Sequence, residues 1–136
     1  MSRSNGKDAA QMLRATRKNP VRHECYTVCF VMLKFMPDKA ADGVYLVHGT
    51  PVLTKSPHNR FGHAWIETKD SKGQTVVIDP MYPQQRWPKD HYYQTGQLTE
   101  EHVVRYNWFA AKRLERDTDS TGPWDEKITA AAHSND

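Results

Sequence analysis

The sequence has only two cysteines, Cys25 and Cys29, and no internal repeat. Two cysteines cannot build a framework of disulfides. At a spacing of four on one helix face, their Cβ atoms would lie about 5–6 Å apart, whereas a disulfide needs roughly 3.5–4.5 Å. We therefore predict two free thiols.

Long hydrophobic runs are also missing. The longest uninterrupted apolar run, Val28–Leu33, has six residues, whereas a helix that crosses a bilayer needs roughly 20. The opening residues, MSRSNGKDAA, lack the apolar core and the small-residue cleavage site of a secretory signal. These absences predict no membrane association and a cytoplasmic protein, in a compartment where thiols stay reduced.

Neither sign of charge dominates the composition. The chain has 19 Lys and Arg against 16 Asp and Glu, a formal net charge of +3, and the basic residues are scattered rather than arranged in a stripe. This pattern does not favour nucleic acid as a partner, and the oligomeric state is not indicated. A length of 136 residues with a mean hydropathy of −0.82 predicts one polar globular domain, which we place at residues 1–128, followed by a disordered tail at 129–136.

Hydrophobic periodicity predicts an α+β domain in which helices flank a small antiparallel sheet. The predicted helices are Lys7–Arg17, Glu24–Phe35 and a segment from Thr99 to about Arg116. The predicted strands are Gly43–His48, Arg60–Glu67 and Thr75–Asp79. Between and after them we expect a loop at Thr54–Asn59 and an irregular, aromatic-rich segment at Met81–Gly96 that would wall a cleft.

The two central strands form a predicted hairpin with a polar turn around Gly73. His63 lies in the first strand and Asp79 ends the second, so antiparallel pairing would place an imidazole beside a carboxylate. A carboxylate in this position fixes the tautomer and the orientation of a catalytic histidine.

Cys25 lies in the first turn of the predicted helix Glu24–Phe35. A helix N-terminus and a nearby imidazolium both favour a thiolate, which is the nucleophilic form of cysteine. Backbone N–H groups in the same turn would also face an oxyanion formed by attack on a carbonyl. Cys29 lies one turn further in, where a buried thiol behaves as a small hydrophobic side chain.

A resemblance to a known family is carried by four runs of sequence, ECYTVCFVML, GVYLVHG, FGHAWIE and VVIDP. Together they resemble the transglutaminase-like branch of the papain-like cysteine enzymes, and the HAWxE strand is similar to that of lasso-peptide leader peptidases. The resemblance implies that a helix bearing the nucleophile packs on a small antiparallel sheet. It also implies that Cys25 is the nucleophile, that His63 is the general base and acid, and that Asp79 orients His63.

Further residues are candidates for the oxyanion site and for substrate contacts. Asn19 stands six residues before Cys25, at the spacing of the papain-like glutamine that helps to stabilise the oxyanion, but Pro20 follows it, which favours a simple turn residue before the helix. Substrate contacts are expected from Trp65, Tyr82 and Trp87. His23, Cys25 and Cys29 resemble part of a zinc site, but structural zinc sites usually show two compact ligand pairs, so we predict neither a metal nor a cofactor.

The sequence therefore predicts a cysteine-dependent hydrolase, a peptidase or amidase, that acts on an amide or isopeptide carbonyl of a peptide or protein through a thioester. Two alternatives stay open. The first is acyl transfer or glutamine deamidation by the same triad, as in a transglutaminase. The second is a peptide-binding module that has the same fold but no catalytic activity.

Overall fold

The computed structural model of the protein describes residues 24–53 and 56–134. The helices are α1 (Glu24–Lys34), α2 (Lys89–Gly96), α3 (Trp108–Thr118) and α4 (Glu126–Ser134), with a short 3₁₀ helix at Glu100–His102. The strands are β1 (Tyr45–Gly49), β2 (Val52–Leu53), β3 (Ser56–Arg60), β4 (His63–Lys69), β5 (Thr75–Ile78), β6 (Trp87–Pro88) and β7 (Val103–Tyr106). None of these helices is both long enough and apolar enough to cross a bilayer.

Five strands form one antiparallel sheet in the order β6-β5-β4-β1-β7. The central strand, β4, pairs with β1 on one side and with β5 on the other. Aromatic and β-branched residues favour these strands because their side chains pack well on a pleated, half-buried surface. Strands β2 and β3 form a separate two-stranded sheet.

The side chains of β4 alternate between two hydrophobic clusters. Ala64 and Ile66 belong to the larger cluster, together with the buried face of α1. Trp65 belongs to the smaller one, together with Tyr93 of α2. This alternation follows from the two-residue period of a strand. The molecule is therefore an α+β fold. Helix α1 packs on the sheet through the larger cluster, and helix α2 packs on it through the smaller one.

The sequence predicted α1 and the β4–β5 hairpin to within three residues at each end. Packing of Cys25 and Cys29 in one cluster with Ala64 and Ile66 confirms the expected contact between the helix and the sheet. Trp124 packs against the same cluster, and Ile128 is completely buried within it. The chain after Asp119 is therefore attached to the core.

Four expectations about local structure are wrong. The segment Met81–Gly96 is not irregular throughout, since it ends in β6 and α2. The expected helix from Thr99 is divided, because Val103–Tyr106 pairs with β1 and a new helix begins after Asn107, whose side chain accepts a hydrogen bond from the N–H of Ala110 at 2.8 Å. Part of the expected loop Thr54–Asn59 lies in β3.

The fourth concerns the end of the chain. Helix α4 covers residues 129–134, for which we expected disorder, because Ile128 inserts into the core and holds the start of this helix against the domain. The predicted helix Lys7–Arg17 and Asn19 lie outside the described residues.

Candidate active site

The register of the β4–β5 hairpin places His63 and Asp79 on the same face. Ile66 lies opposite Ile78, so Trp65 comes opposite Asp79, and His63 lies two residues further along its strand. Residues in this diagonal relation across a strand pair are within reach of long side chains. The Nε2 atom of His63 is 3.0 Å from Oδ2 of Asp79, and both side chains are buried. The predicted pairing of imidazole and carboxylate is present.

Asp79 has two further hydrogen bonds. Its Oδ1 accepts one from the backbone N–H of Met81 at 2.9 Å. Its Oδ2 accepts one from the hydroxyl of Tyr92, on α2, at 2.6 Å. Both carboxylate oxygens are therefore engaged, and the rotation of the side chain is restricted from two directions.

The electrostatics of the pair favour two opposite charges. Burial alone would lower the pKa of His63, but the charges of Asp79 and Cys25 and hydrogen bonds to both raise that pKa well above its usual value. Burial would raise the pKa of Asp79, but His63, Tyr92 and the Met81 N–H outweigh this effect and lower the pKa. An imidazolium beside a carboxylate is the arrangement that these shifts describe.

Cys25 lies in the first turn of α1 and is 4% exposed. It is a hydrogen-bonding partner of the His63 side chain. The imidazole of His63 therefore interacts with both the carboxylate of Asp79 and the thiol of Cys25. The structure thus brings Cys25, His63 and Asp79 together in the order in which a nucleophile, a base and an orienting group are needed.

Cys29 shares the larger hydrophobic cluster with Cys25 but differs from it in position and exposure. It lies one turn further along α1 and is completely buried. Burial, with the nearby Cys25 and Asp79 charges, raises the pKa of its thiol well above the usual value. Cys29 is therefore a neutral core side chain, as the sequence predicted.

A second polar cluster lies at the other end of β4, around the buried carboxylate of Glu67. This carboxylate accepts hydrogen bonds from the indole N–H of Trp65 at 3.1 Å, from the hydroxyl of Tyr93, and from Nε of Arg105 at 2.9 Å. Arg105 also binds Glu100. Glu67 was part of the sequence motif without an assigned role, and the structure places it in a network that ties β4, β7 and α2 together.

The three residues expected to contact substrate lie in different environments. Trp65 has no exposed surface and packs against Tyr92 and Tyr93. The expectation that Trp65 contacts substrate directly is therefore wrong.

Tyr82 is 56% exposed, and its backbone N–H donates to the carbonyl of Asp79 at 2.9 Å. Its ring meets Trp87 edge-on with centroids 6.5 Å apart, and Trp87 stacks on His91 at 6.2 Å. We call Tyr82, Trp87 and His91 the aromatic ledge. It begins three residues after the orienting carboxylate.

Sequence reasoning missed Tyr92 as a partner of Asp79 and missed Arg105 as a partner of Glu67. No apolar period marks α2, because Tyr93 and Gly96 are the residues it buries. The usable signal was two adjacent tyrosines in an otherwise polar segment, since a buried tyrosine needs a partner for its hydroxyl.

No group of three or more His, Cys, Asp or Glu residues within 24–53 and 56–134 is arranged to hold a metal ion. His23 and Asn19 lie outside this part of the chain. Comparison of the sequence and the fold with protein-family models, curated proteins and solved structures gave no match.

Proposed function

We propose that this protein is a cysteine-dependent hydrolase of the transglutaminase-like type, acting on an amide or isopeptide carbonyl. The observation that carries the proposal is the shared imidazole of His63. It is hydrogen-bonded to Asp79 through Nε2 at 3.0 Å and also interacts with the thiol of Cys25. A buried thiol on a helix has no structural need for an imidazole and a carboxylate aligned behind it.

In the first step, the thiolate sulfur of Cys25, whose proton His63 already holds, forms a bond to the carbonyl carbon. The resulting tetrahedral oxyanion is stabilised by backbone N–H groups in the first turn of α1, including that of Cys25. His63 then gives its proton to the amide nitrogen. The carbon–nitrogen bond breaks, the amine leaves, and a thioester to Cys25 remains.

In the second step, water attacks the thioester carbon while His63 takes a proton from the water. The carbon–sulfur bond breaks, the acid leaves and the thiol is regenerated. With a glutamine side chain as substrate, the same steps release ammonia and give deamidation. If an amine replaces water, the product is a new amide, which is the transfer reaction of a transglutaminase.

The aromatic ledge supports a peptide or protein as the substrate. Tyr82 and His91 are exposed and Trp87 is half-buried, and the ledge begins three residues after Asp79, so a chain bound at Cys25 can extend across it. Aromatic rings contribute large contact areas at little cost in conformational entropy. The backbone of Tyr82 is held in the turn after Asp79 by the hydrogen bond from its N–H to the carbonyl of that residue.

The proposal is tested without a substrate by reaction with a small alkylating reagent between pH 4 and 9, with the modified thiol located by mass spectrometry. We expect one fast site, Cys25, whose reactivity persists in mildly acidic solution. The His63→Gln variant is the control for accessibility, because it keeps the site filled but removes the base. Cys25 in that variant should react at least tenfold more slowly at pH 6.

Two results would contradict the proposal. If Cys25 reacts at the same rate in His63→Gln, its reactivity reflects access alone. If both thiols react slowly in the wild-type protein, no activated nucleophile is present. The second result would favour the peptide-binding module, for which the aromatic ledge would be the binding surface.

A further inference from the structure

Two consecutive tyrosines of α2 each donate a hydrogen bond to a carboxylate of the β4–β5 hairpin. Tyr92 donates to Asp79, and Tyr93 donates to Glu67. The two carboxylates lie in different clusters, one in the triad and one in the network with Arg105. One short helix therefore donates a hydrogen bond to each of the two polar clusters on this face of the sheet.

The hydrogen bond from Tyr92 is accepted by the same carboxylate oxygen of Asp79 that interacts with His63. Its hydroxyl lies 2.6 Å from Oδ2 of Asp79, and this same oxygen is 3.0 Å from Nε2 of His63. The ring of Tyr92 packs against Trp65 with centroids 5.3 Å apart, which fixes the direction of the hydroxyl. A donor aimed at a carboxylate oxygen stabilises the ionised form and holds the rotamer.

We propose that Tyr92 is a positioning residue of the active site, which keeps Asp79 ionised and turned toward His63. This inference rests on the proposed function, because it assigns Tyr92 a part in preparing His63 for Cys25. Tyr92 itself remains neutral, since burial and the charge of Asp79 raise its pKa well above the usual value. It thus acts as a fixed hydrogen-bond donor rather than as an acid or base.

The surroundings of Asp79 explain why such a donor matters. The titratable groups that act on it or respond to its charge include His63 on β4, Tyr92 on α2 and Cys29 on α1, and the charge of Cys25 on α1 acts in turn on His63 and Tyr92. His63 is the sole cation in this group, and the neutral hydroxyl of Tyr92 donates a second hydrogen bond to the same Oδ2, which supports the charge of the carboxylate without adding a second cation. Without Tyr92, Oδ2 keeps only the bond to His63.

The test compares Tyr92→Phe with Tyr93→Phe in the full chain. Each change deletes one hydroxyl and keeps the ring, so each removes one hydrogen bond to one carboxylate. The first readout is the titration of the Asp79 carboxyl carbon by NMR in protein labelled at aspartate. The second is the rate of Cys25 alkylation between pH 4 and 8.

In Tyr92→Phe we expect the Asp79 titration to move to higher pH, and Cys25 alkylation at pH 4 to fall roughly fivefold, as for the loss of one hydrogen bond. Near pH 7 the rate should be little changed, because Asp79 is still ionised. In Tyr93→Phe both readouts should match the wild type. Stability lost in both variants does not affect this comparison.

An Asp79 titration in Tyr92→Phe that coincides with that of the wild type would overturn the inference. So would an equal shift in Tyr93→Phe, because it would show a general effect of loosening α2. The NMR readout does not depend on an active thiol. If wild-type Cys25 proves unreactive, the proposed function fails while the titration still decides the role of Tyr92 toward Asp79.

Discussion

The indole N–H of Trp65 donates to Oε2 of Glu67, two residues along the same face of β4, at 3.1 Å. His63 occupies the next position on that face in the other direction. One strand face thus holds the base of the proposed triad at one end, a buried carboxylate network at the other, and a tryptophan between them. In the HAWxE pattern, His63 therefore belongs to the proposed triad, whereas Trp65 and Glu67 hold the strand in place.

Replacement of Glu67 should affect stability more than chemistry. In Glu67→Gln the charge is lost while Arg105 keeps its position, and breaking such a buried pair should lower the free energy of unfolding by roughly 3 kcal/mol. Chemical denaturation measures this loss. Cys25 alkylation, measured well below the denaturation midpoint, should stay close to the wild-type rate.

Glu101→Gln is the matched control. Glu101 is exposed, and its ion pair with His102 spans 3.8 Å, so its loss should cost less than about 1 kcal/mol. Equal losses in the two variants would show that the Glu67 network does not stabilise the fold. Loss of Cys25 reactivity in Glu67→Gln alone would place that network in the active site.

Variants of the two cysteines should distinguish a catalytic role from a role in core packing. Cys25→Ala should abolish fast alkylation and any amide hydrolysis, with little change in the free energy of unfolding. Cys29→Ser should keep the fast thiol but lower the free energy of unfolding by about 1–3 kcal/mol, because a hydroxyl enters a fully buried apolar site. Equal loss of reactivity in both variants would contradict the assigned roles.

Asp79→Asn should lower the reactivity of Cys25 while the fold is retained. An amide in place of the carboxylate removes the negative charge and favours the wrong tautomer of His63. We expect at least a hundredfold loss of Cys25 alkylation at pH 6. The exposed Asp90, on the same helix as Tyr92, supplies the control Asp90→Asn, which should react like the wild type. Full reactivity in Asp79→Asn would mean that another residue orients His63.

The sequence predicted the hairpin that carries His63 and Asp79 because both strands show strong β composition around a polar turn. Once that hairpin exists, its register brings the two side chains together, as Ile66 opposite Ile78 confirms. The helix that carries Cys25 could also be predicted from the sequence, since Cys25, Val28 and Cys29 repeat with a helical period. All three side chains are buried in the structure. Local patterns therefore located the three residues, whereas their proposed roles as nucleophile, base and orienting group came from the resemblance to transglutaminase-like enzymes.

Long-range packing decided the features that the sequence did not predict. Val103 and Val104 fit a helical face as well as a strand, and they become a strand because β1 offers an unpaired edge. Helix α2 has no apolar stripe, and it is held by the hydroxyls of Tyr92 and Tyr93 on carboxylates distant in sequence. Neither partner can be identified from a local window.

Gly49 should not tolerate a side chain. It lies opposite His63 in the β1–β4 pair, and a Cβ there would be 2.3 Å from Cη2 of Trp65. Because Trp65 is fully buried and held by Glu67, it cannot yield at low cost. Gly49→Ala should lower the free energy of unfolding by roughly 1–3 kcal/mol, as measured by chemical denaturation.

Gly73 provides the control for Gly49. A Cβ at Gly73 meets nothing within 4 Å, although its φ of +81° lies in the left-handed region, which asparagine tolerates. Gly73→Asn should therefore change the free energy of unfolding by less than about 1 kcal/mol. A stable Gly49→Ala protein would show that Trp65 can move, and its Cys25 reactivity would then show whether His63 moves with it.

Replacement of His48 should make the protein less sensitive to acid. His48 is fully buried, it is ringed by Tyr26, Tyr106 and Trp124, and neither of its ring nitrogens has a hydrogen-bond partner among the described residues. Burial, helped by the charge of His63, lowers the pKa of His48 to about 3. Between its ordinary value of 6.5 and about 3, the unfolded chain binds a proton at this site that the folded protein does not.

Stability should therefore fall as the pH drops through this range, by about 1.4 kcal/mol per pH unit from His48. His48→Leu removes this loss. Between pH 7 and pH 4.5, the free energy of unfolding of this variant should therefore fall by about 2 to 3 kcal/mol less than that of the wild type. Asp79 keeps an acid sensitivity of its own, because its lowered pKa stabilises the fold only while the carboxylate is ionised. Denaturation at both pH values measures the difference, with the exposed His91→Gln as control. An acid-induced loss in His48→Leu as large as in the wild type would place its origin at another site.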